Sequence, residues 1–158
     1  MPRENYRPGM AYFERDNGDL CLNGANLRDG AGVAVPANIT FTPAAGTTNV
    51  CEVTVTVRDA RGNAIAGVFN FDLWLSDAAT GAGLTATSAS GAVAAKSSSG
   101  TDLSVFSPKK AIRVQTLATG VYVLSITDTA KTGFRVCAQV PGLDKTVVSA
   151  ALVTANYG

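Results

Sequence analysis

The sequence predicts an all-β domain, a β-sandwich of about seven to nine short strands behind an extended N-terminal arm. Three observations carry this. From residue 50 onward apolar and polar residues alternate with period two, the mark of strands with one buried face. Turn residues interrupt the alternation at intervals of roughly 8–12 residues, as in sandwiches. No segment beyond residue 50 keeps a 3.6-residue apolar stripe through three turns, so long helices are not expected. A chain of 158 residues has room for one such domain and an arm.

Taken in order, residues 1–37 form the arm. They scatter Tyr6, Tyr12, Phe13, Leu20 and Leu22 among Gly, Asn, Asp and Arg, with prolines at 2, 8 and 36. Apolar residues are too sparse there for a second core and too frequent for a purely solvated tail. Such an arm either buries its aromatics against a neighbouring subunit, folds back on its own domain, or stays mobile.

The sandwich is expected over 38–158. The first clear strand is 50–58, with Cys51, Val53, Val55 and Val57 facing one way and Glu52, Thr54, Thr56 and Arg58 the other. Asp59 to Asn63, with Gly62, reads as a turn. Strand 68–76 follows, with Phe69, Phe71, Leu73 and Leu75 opposite Asn70, Asp72 and Trp74. Trp74 either covers a second apolar face or is an exposed aromatic open to a partner. The Ala/Ser/Thr/Gly stretch 76–108 admits short strands at 84–87 and 91–95 and a loop tip at 96–100. Further strands are expected at 112–116, 121–127, 134–140 and 146–153, ahead of Tyr157. Tyr122, two residues after Gly120, has the layout of a tyrosine corner, whose hydroxyl bonds back to upstream backbone. A plain strand tyrosine fits the same spacing.

The chemistry-bearing residues point away from catalysis. There is no histidine, so the commonest general base and metal ligand is missing. Cys21, Cys51 and Cys137 are odd in number and lack CxxC spacing, which fits neither a zinc site nor a disulfide framework; Cys51 and Cys137 read as small buried hydrophobes. Asp16, Asn17 and Asp19 around Gly18 suggest a calcium loop but lack its alternating ligands and closing glutamate, so a turn is expected. Asp77 and Asp128 follow strand ends and read as turn caps. Lys109 and Lys110 beside Pro108 fit edge protection better than phosphate binding. Asn38-Ile39-Thr40 matches a glycosylation acceptor but carries no weight without a secretory leader. No catalytic, cofactor-binding or metal-ligating residue is expected, and no cofactor. Charged residues are 16% of the chain against a usual value of about 25%, and the net charge is +1. Neither nucleic acid nor an anionic membrane is therefore an expected partner. The charged N-terminal residues carry no apolar leader core, so synthesis in the cytoplasm is expected.

The run from Val53 through Asp59, Gly62 and Asn63 to Gly67 and Val68 resembles the start of bacterial immunoglobulin-like, invasin-type domains. There, a D-x-x-G-N turn and an A-G-V step join two strands. More specifically, the segments 38–41, 71–84, 120–130 and 152–158 are similar to a group of small virion structural proteins of tailed bacteriophages. The resemblance covers about three quarters of the chain. It implies an immunoglobulin-like β-sandwich and a capsid decoration (cement) or minor head protein on the outer face of the virion. Its partners would be the major capsid protein and copies of itself, and a trimer would suit a three-fold lattice site. The candidate interface residues are Tyr6, Tyr12, Phe13, Leu20, Leu22, Trp74 and Tyr157. The competing expectation is a tail or head-fibre module that stacks Trp74, Tyr122 or Tyr157 on host-cell glycans.

Overall fold

A computed structural model describes residues 35–158 and, before them, only the backbone of β1 (Ala11–Phe13), β2 (Leu20–Leu22) and β3 (Ala25–Asn26). The chain divides into two units, 1–35 and 36–158. In the first, β1, β2 and β3 pair antiparallel, with Tyr12 opposite Cys21 and Cys21 opposite Asn26. Short paired strands thus stand within the segment expected to be a single extended arm. Tyr6 and the Asp16–Asp19 turn lie outside the described residues, as do the side chains of Tyr12, Phe13, Leu20, Cys21 and Leu22.

The second unit is all-β. It comprises β4 (Asn38–Ala45), β5 (Val50–Arg58), β6 (Asn70–Ser76), β7 (Val93–Ala95), β8 (Thr101–Ser107), β9 (Ala111–Gln115), β10 (Val121–Thr127), β11 (Arg135–Gln139) and β12 (Thr146–Val148). One 3-10 turn follows at Thr154–Asn156. Two antiparallel sheets form, ordered β4-β5-β10-β7 and β12-β11-β6-β9-β8. Read as A, B, C, D, E, F and G, the strands β4, β5, β6, β7, β10, β11 and β12 pair as ABED and CFG, the immunoglobulin arrangement. The β8–β9 hairpin is an insertion between D and E, added at the free side of C.

The core lies between the sheets because alternation puts one face of each strand there. Cys51, Val53, Val55 and Val57 on β5 are buried, as are Tyr122, Leu124 and Ile126 on β10. The facing sheet supplies Phe71, Leu73, Leu75, Ile112, Val114, Val136 and Ala138. Strands 50–58 and 121–127 have the bounds expected from the sequence, and Cys51 and Cys137 are free, buried thiols. Burial, with Glu52 adding for Cys51, pushes both thiols up to about 11, so neither is a ready nucleophile.

Several expectations are corrected. No strand forms at 84–87. That segment is a loop, held by Asp77, which accepts from the Thr85 hydroxyl at 2.6 Å and the Ala86 amide at 2.7 Å. Asp77 therefore pins the loop eight to nine residues on instead of capping the turn it begins. Lys110 donates to the Thr85 and Ala86 carbonyls and Lys109 to that of Ser90, so this pair clamps the same loop and does not shield a sheet edge. Asp128 does cap its turn through the Thr132 amide at 2.7 Å, and also holds the Ser90 amide at 3.1 Å. The last strand stops at Val148, short of the expected 153. Strands β4 and β8, neither read from the sequence, are added.

Two tyrosines are also reassigned. The Tyr122 hydroxyl donates to Asp102 Oδ1 of β8 at 2.6 Å, so this is an inter-sheet strut and not a tyrosine corner. Tyr157 is 4% exposed, and its hydroxyl donates to the Thr132 carbonyl at 2.7 Å. It belongs to the core and is removed from the candidate interface. The reason is local: the 3-10 turn before it folds the chain end back onto the 47–50 turn, where Gly158 bonds the Val50 carbonyl.

Candidate functional site

The sandwich has four edge strands, and they differ. β4 carries Pro43, which cannot donate to an incoming strand. β7 and β12 are three residues long, too short to template pairing. β8 is seven residues long and has neither proline nor lysine. Its single charge, Asp102, is turned inward to Tyr122 and the Ala95 amide. Two register shifts, at Asp102/Ser104 and Val105/Ser107, bend it and leave Leu103 and Phe106 without cross-strand partners. Leu103, Val105 and Phe106 are 45%, 58% and 54% exposed. Val105 pairs with the buried Ile112, yet among the described residues nothing covers it, because the facing sheet ends at the short β7.

Beside this edge, the outer face of the five-stranded sheet carries a trough. Alternation on β6 directs Asn70, Asp72 and Trp74 outward. Trp74 is opposite Ala111 on β9, and the short alanine leaves the floor low toward Phe106. The Trp74 indole N–H donates to the Gly81 carbonyl at 2.9 Å, which fixes the ring. Gly81 is required there: its φ is +75°, and a Cβ would come within 2.7 Å of Val148 and 3.1 Å of the Cys137 sulfur. The loop it belongs to brings in Leu84, 47% exposed. Trp74, Leu84, Phe106, Asp72 and Gln139 line a cleft of about 340 Å³. An adjoining cleft of about 270 Å³ shares Asp72 and Gln139 and is lined further by Asn70, Arg113, Pro141 and Gly142.

Between the two clefts Arg113 forks onto Asp72, Nε to Oδ1 at 2.7 Å and Nη2 to Oδ2 at 3.1 Å. The hydrogen bond to Asp72, with its charge, raises the guanidinium further above its already high range, and the fork sets the two opposite charges against one another. The guanidinium also lies 5.3 Å over the Phe106 ring, a cation–π contact that props the ring at the rim.

Of the sequence-derived candidates with described side chains, Trp74 and Tyr157, Trp74 lies on this surface; it is half-buried, with one edge tied to the loop. Tyr157 is interior. Tyr12, Phe13, Leu20 and Leu22 lie on β1 and β2 of the other unit, and Tyr6 outside the described residues. Sequence reasoning missed Leu84, Leu103, Val105 and Phe106. The available signal was an apolar cluster in an otherwise Ser/Thr/Ala stretch, Leu103 and Val105-Phe106, which the absence of strict alternation obscured. Among the described residues no group of three His, Cys, Asp or Glu could hold a metal ion. No family model, curated protein or solved structure matches this chain.

Proposed function

We propose that this chain is a structural protein of a tailed-bacteriophage virion, a capsid decoration or minor head protein that stabilises the outer face of the shell. It works by adhesion and not by catalysis. The observation that carries the reading is β8: a long, apolar edge exposed on both faces, in a sandwich whose other edges are short or proline-bearing. Such an edge adds to a neighbour's strand through main-chain hydrogen bonds, with side chains at alternate positions setting register. The resemblance of 71–84, 120–130 and 152–158 to small virion proteins supports the setting. A net charge of +1 lets many copies crowd on a lattice with little repulsion. Modest interfaces repeated across a shell sum to a large stabilisation.

The test is pelleting with emptied phage shells that lack this protein, followed by shell melting. The wild-type chain should co-pellet and raise the shell melting temperature by mass action. The double variant Leu103→Lys, Val105→Lys should remain folded, since both side chains are exposed, and should stay in the supernatant. Unchanged shell melting with the wild-type chain, or undiminished pelleting of the variant, refutes the proposal.

A further inference from the structure

We infer that the trough on the outer face of the five-stranded sheet is a binding site for a neutral oligosaccharide. This goes beyond the adhesive role and does not rest on it, because an added strand would meet β8 in the plane of the sheet while the trough opens on its face.

The argument starts from the kind of surface the trough presents. Trp74, Leu84 and Phe106 form an apolar platform at one end. The other end is polar, with Asn70, Arg113 and Gln139. A pyranose has the matching two-sidedness, an apolar C–H face and a rim of hydroxyls that both donate and accept. Aromatic side chains give a large, conformationally stiff area for the first, and amides and carboxylates serve the second. The Gln139 side chain is exposed and has no hydrogen-bond partner among the described residues, so its amide offers one acceptor and two donors to a ligand.

Charge selects within the saccharides. Asp72 and Arg113 neutralise one another across two hydrogen bonds, so the centre of the trough carries no net charge and favours neither an acidic nor a basic ligand. The fork leaves the Arg113 Nη1 hydrogens and the outer lone pairs of Asp72 directed away from the pair, a donor and acceptor set suited to adjacent hydroxyls. Length selects as well. The two clefts adjoin, sharing Asp72 and Gln139 in their walls, and each alone lies near the lower bound of about 300 Å³ for small-molecule sites. An extended ligand with one ring on Trp74 and Phe106 and a second along Gln139 uses both.

The geometry is also held in advance. The indole is tied to Gly81, and the loop carrying Leu84 is clamped by Asp77 and Lys110. A preset site avoids part of the ordering cost of binding.

Trp74 is the only tryptophan in the chain and therefore reports on its own site. The full chain is screened on an array of neutral, N-acetylated and anionic oligosaccharides, and hits are titrated by tryptophan emission. Neutral or N-acetylated oligomers of two or more rings should bind and shift the Trp74 emission. Phe106→Ala and Gln139→Ala should each weaken that binding about tenfold or more while thermal melting is unchanged, because both side chains are exposed. Leu103→Lys, on the edge but outside the trough, should bind sugar as the wild type does. The inference is overturned by a silent array, by binding confined to anionic sugars, or by folded Phe106→Ala and Gln139→Ala proteins whose affinities stay within twofold of wild type. Loss of shell pelleting with sugar binding intact separates failure of the adhesion reading from failure of this one.

Discussion

The β5–β10 ribbon and the β8–β9 hairpin are built from similar residue types and do opposite work. On β5 every second residue is buried and on β10 the same rule holds, so the ribbon is a wall of the core. On β8 six of the seven residues are exposed. It is a strand because its backbone pairs with β9, not because it buries a face. Where burial enforces alternation, side chains serve stability. Where pairing alone holds the strand, the side chains are free to serve contact with something else.

The strongest way to break this contrast is at the entrance to the ribbon. Gly120 has φ +73°, its carbonyl accepts the Val57 amide, and a Cβ there would overlap the Ile65 carbonyl oxygen. Gly120→Ala should destabilise the fold by about 4 kcal/mol or more, combining backbone strain with a backbone clash. Urea denaturation measures it, and a loss under about 1 kcal/mol would show that the ribbon yields more easily than its packing implies.

Next comes a matched pair of truncations. Leu124 on β10 is 1% exposed and Leu103 on β8 is 45% exposed. Leu124→Ala should cost about 2–5 kcal/mol, and Leu103→Ala should stay within about 0.5 kcal/mol of wild type. Equal losses in the denaturation midpoint would abolish the distinction between the two regions.

The strut that joins them comes third. Burial, and then the hydrogen bond and charge of Asp102, hold the Tyr122 phenol protonated well above its usual range. Tyr122→Phe keeps the ring and removes the donor to Asp102, and should cost roughly 1–3 kcal/mol. Retained stability would mean that β9 and the Ala95 amide on Asp102 hold the hairpin without the phenol.

A smaller effect is expected from acid. Hydrogen bonds from the Thr85 hydroxyl and the Ala86 amide hold Asp77 below the usual carboxylate range. For Asp128, burial acts upward, but hydrogen bonds from Thr132 and Ser90 outweigh it and the carboxyl is again lowered. Both folded values lie below an unfolded value of about 3.9. The stability they confer is therefore complete above that value and lost as pH falls through the folded values below it. Thermal melting should be flat from about pH 8 to 5 and fall below about pH 4, with a shallower fall in Asp128→Asn. An identical acid profile in that variant would remove Asp128 from the account.

Least dramatic is thiol access. In a Cys21→Ser background, Cys51 and Cys137 should resist a disulfide reagent at pH 8 in the native state and react fully in denaturant, since burial raises both thiols to about 11. Rapid native labelling would contradict the sealed core.

How much of this was legible follows the same division. The strands 50–58 and 121–127 could be read to the residue, because each has a polar face in solvent and an apolar face in the core, and register cannot slip without exposing the whole apolar set. β8 could not, because two bulges destroy its period and no face is buried. Alternation puts Trp74 on the face of β6 opposite Phe71 and Leu73, as the structure has it, but leaves its exposure open; its neighbours Leu84 and Phe106 come from the following loop and from the inserted hairpin. Tyr157 and Tyr122 show the reverse error: an aromatic near a chain end or turn looks available until a distant carbonyl or carboxylate claims its hydroxyl.

The amino-acid order by itself determined that this is an all-β chain with a valine-walled core and inert buried thiols, since alternation and turn chemistry act over a few residues. Tertiary structure decided which edge remains open, which carboxylates pin loops and which aromatics face outward. Those outcomes depend on pairings that strand alternation does not specify, some within one loop, such as Asp77 with Thr85, and some far along the chain, such as Tyr122 with Asp102 or Arg113 with Asp72. Local pattern carries no information about such partners. The physical reason is that a hydrogen bond or an uncovered edge is set by what lies opposite in space, and it is the packed sandwich that brings those groups opposite one another.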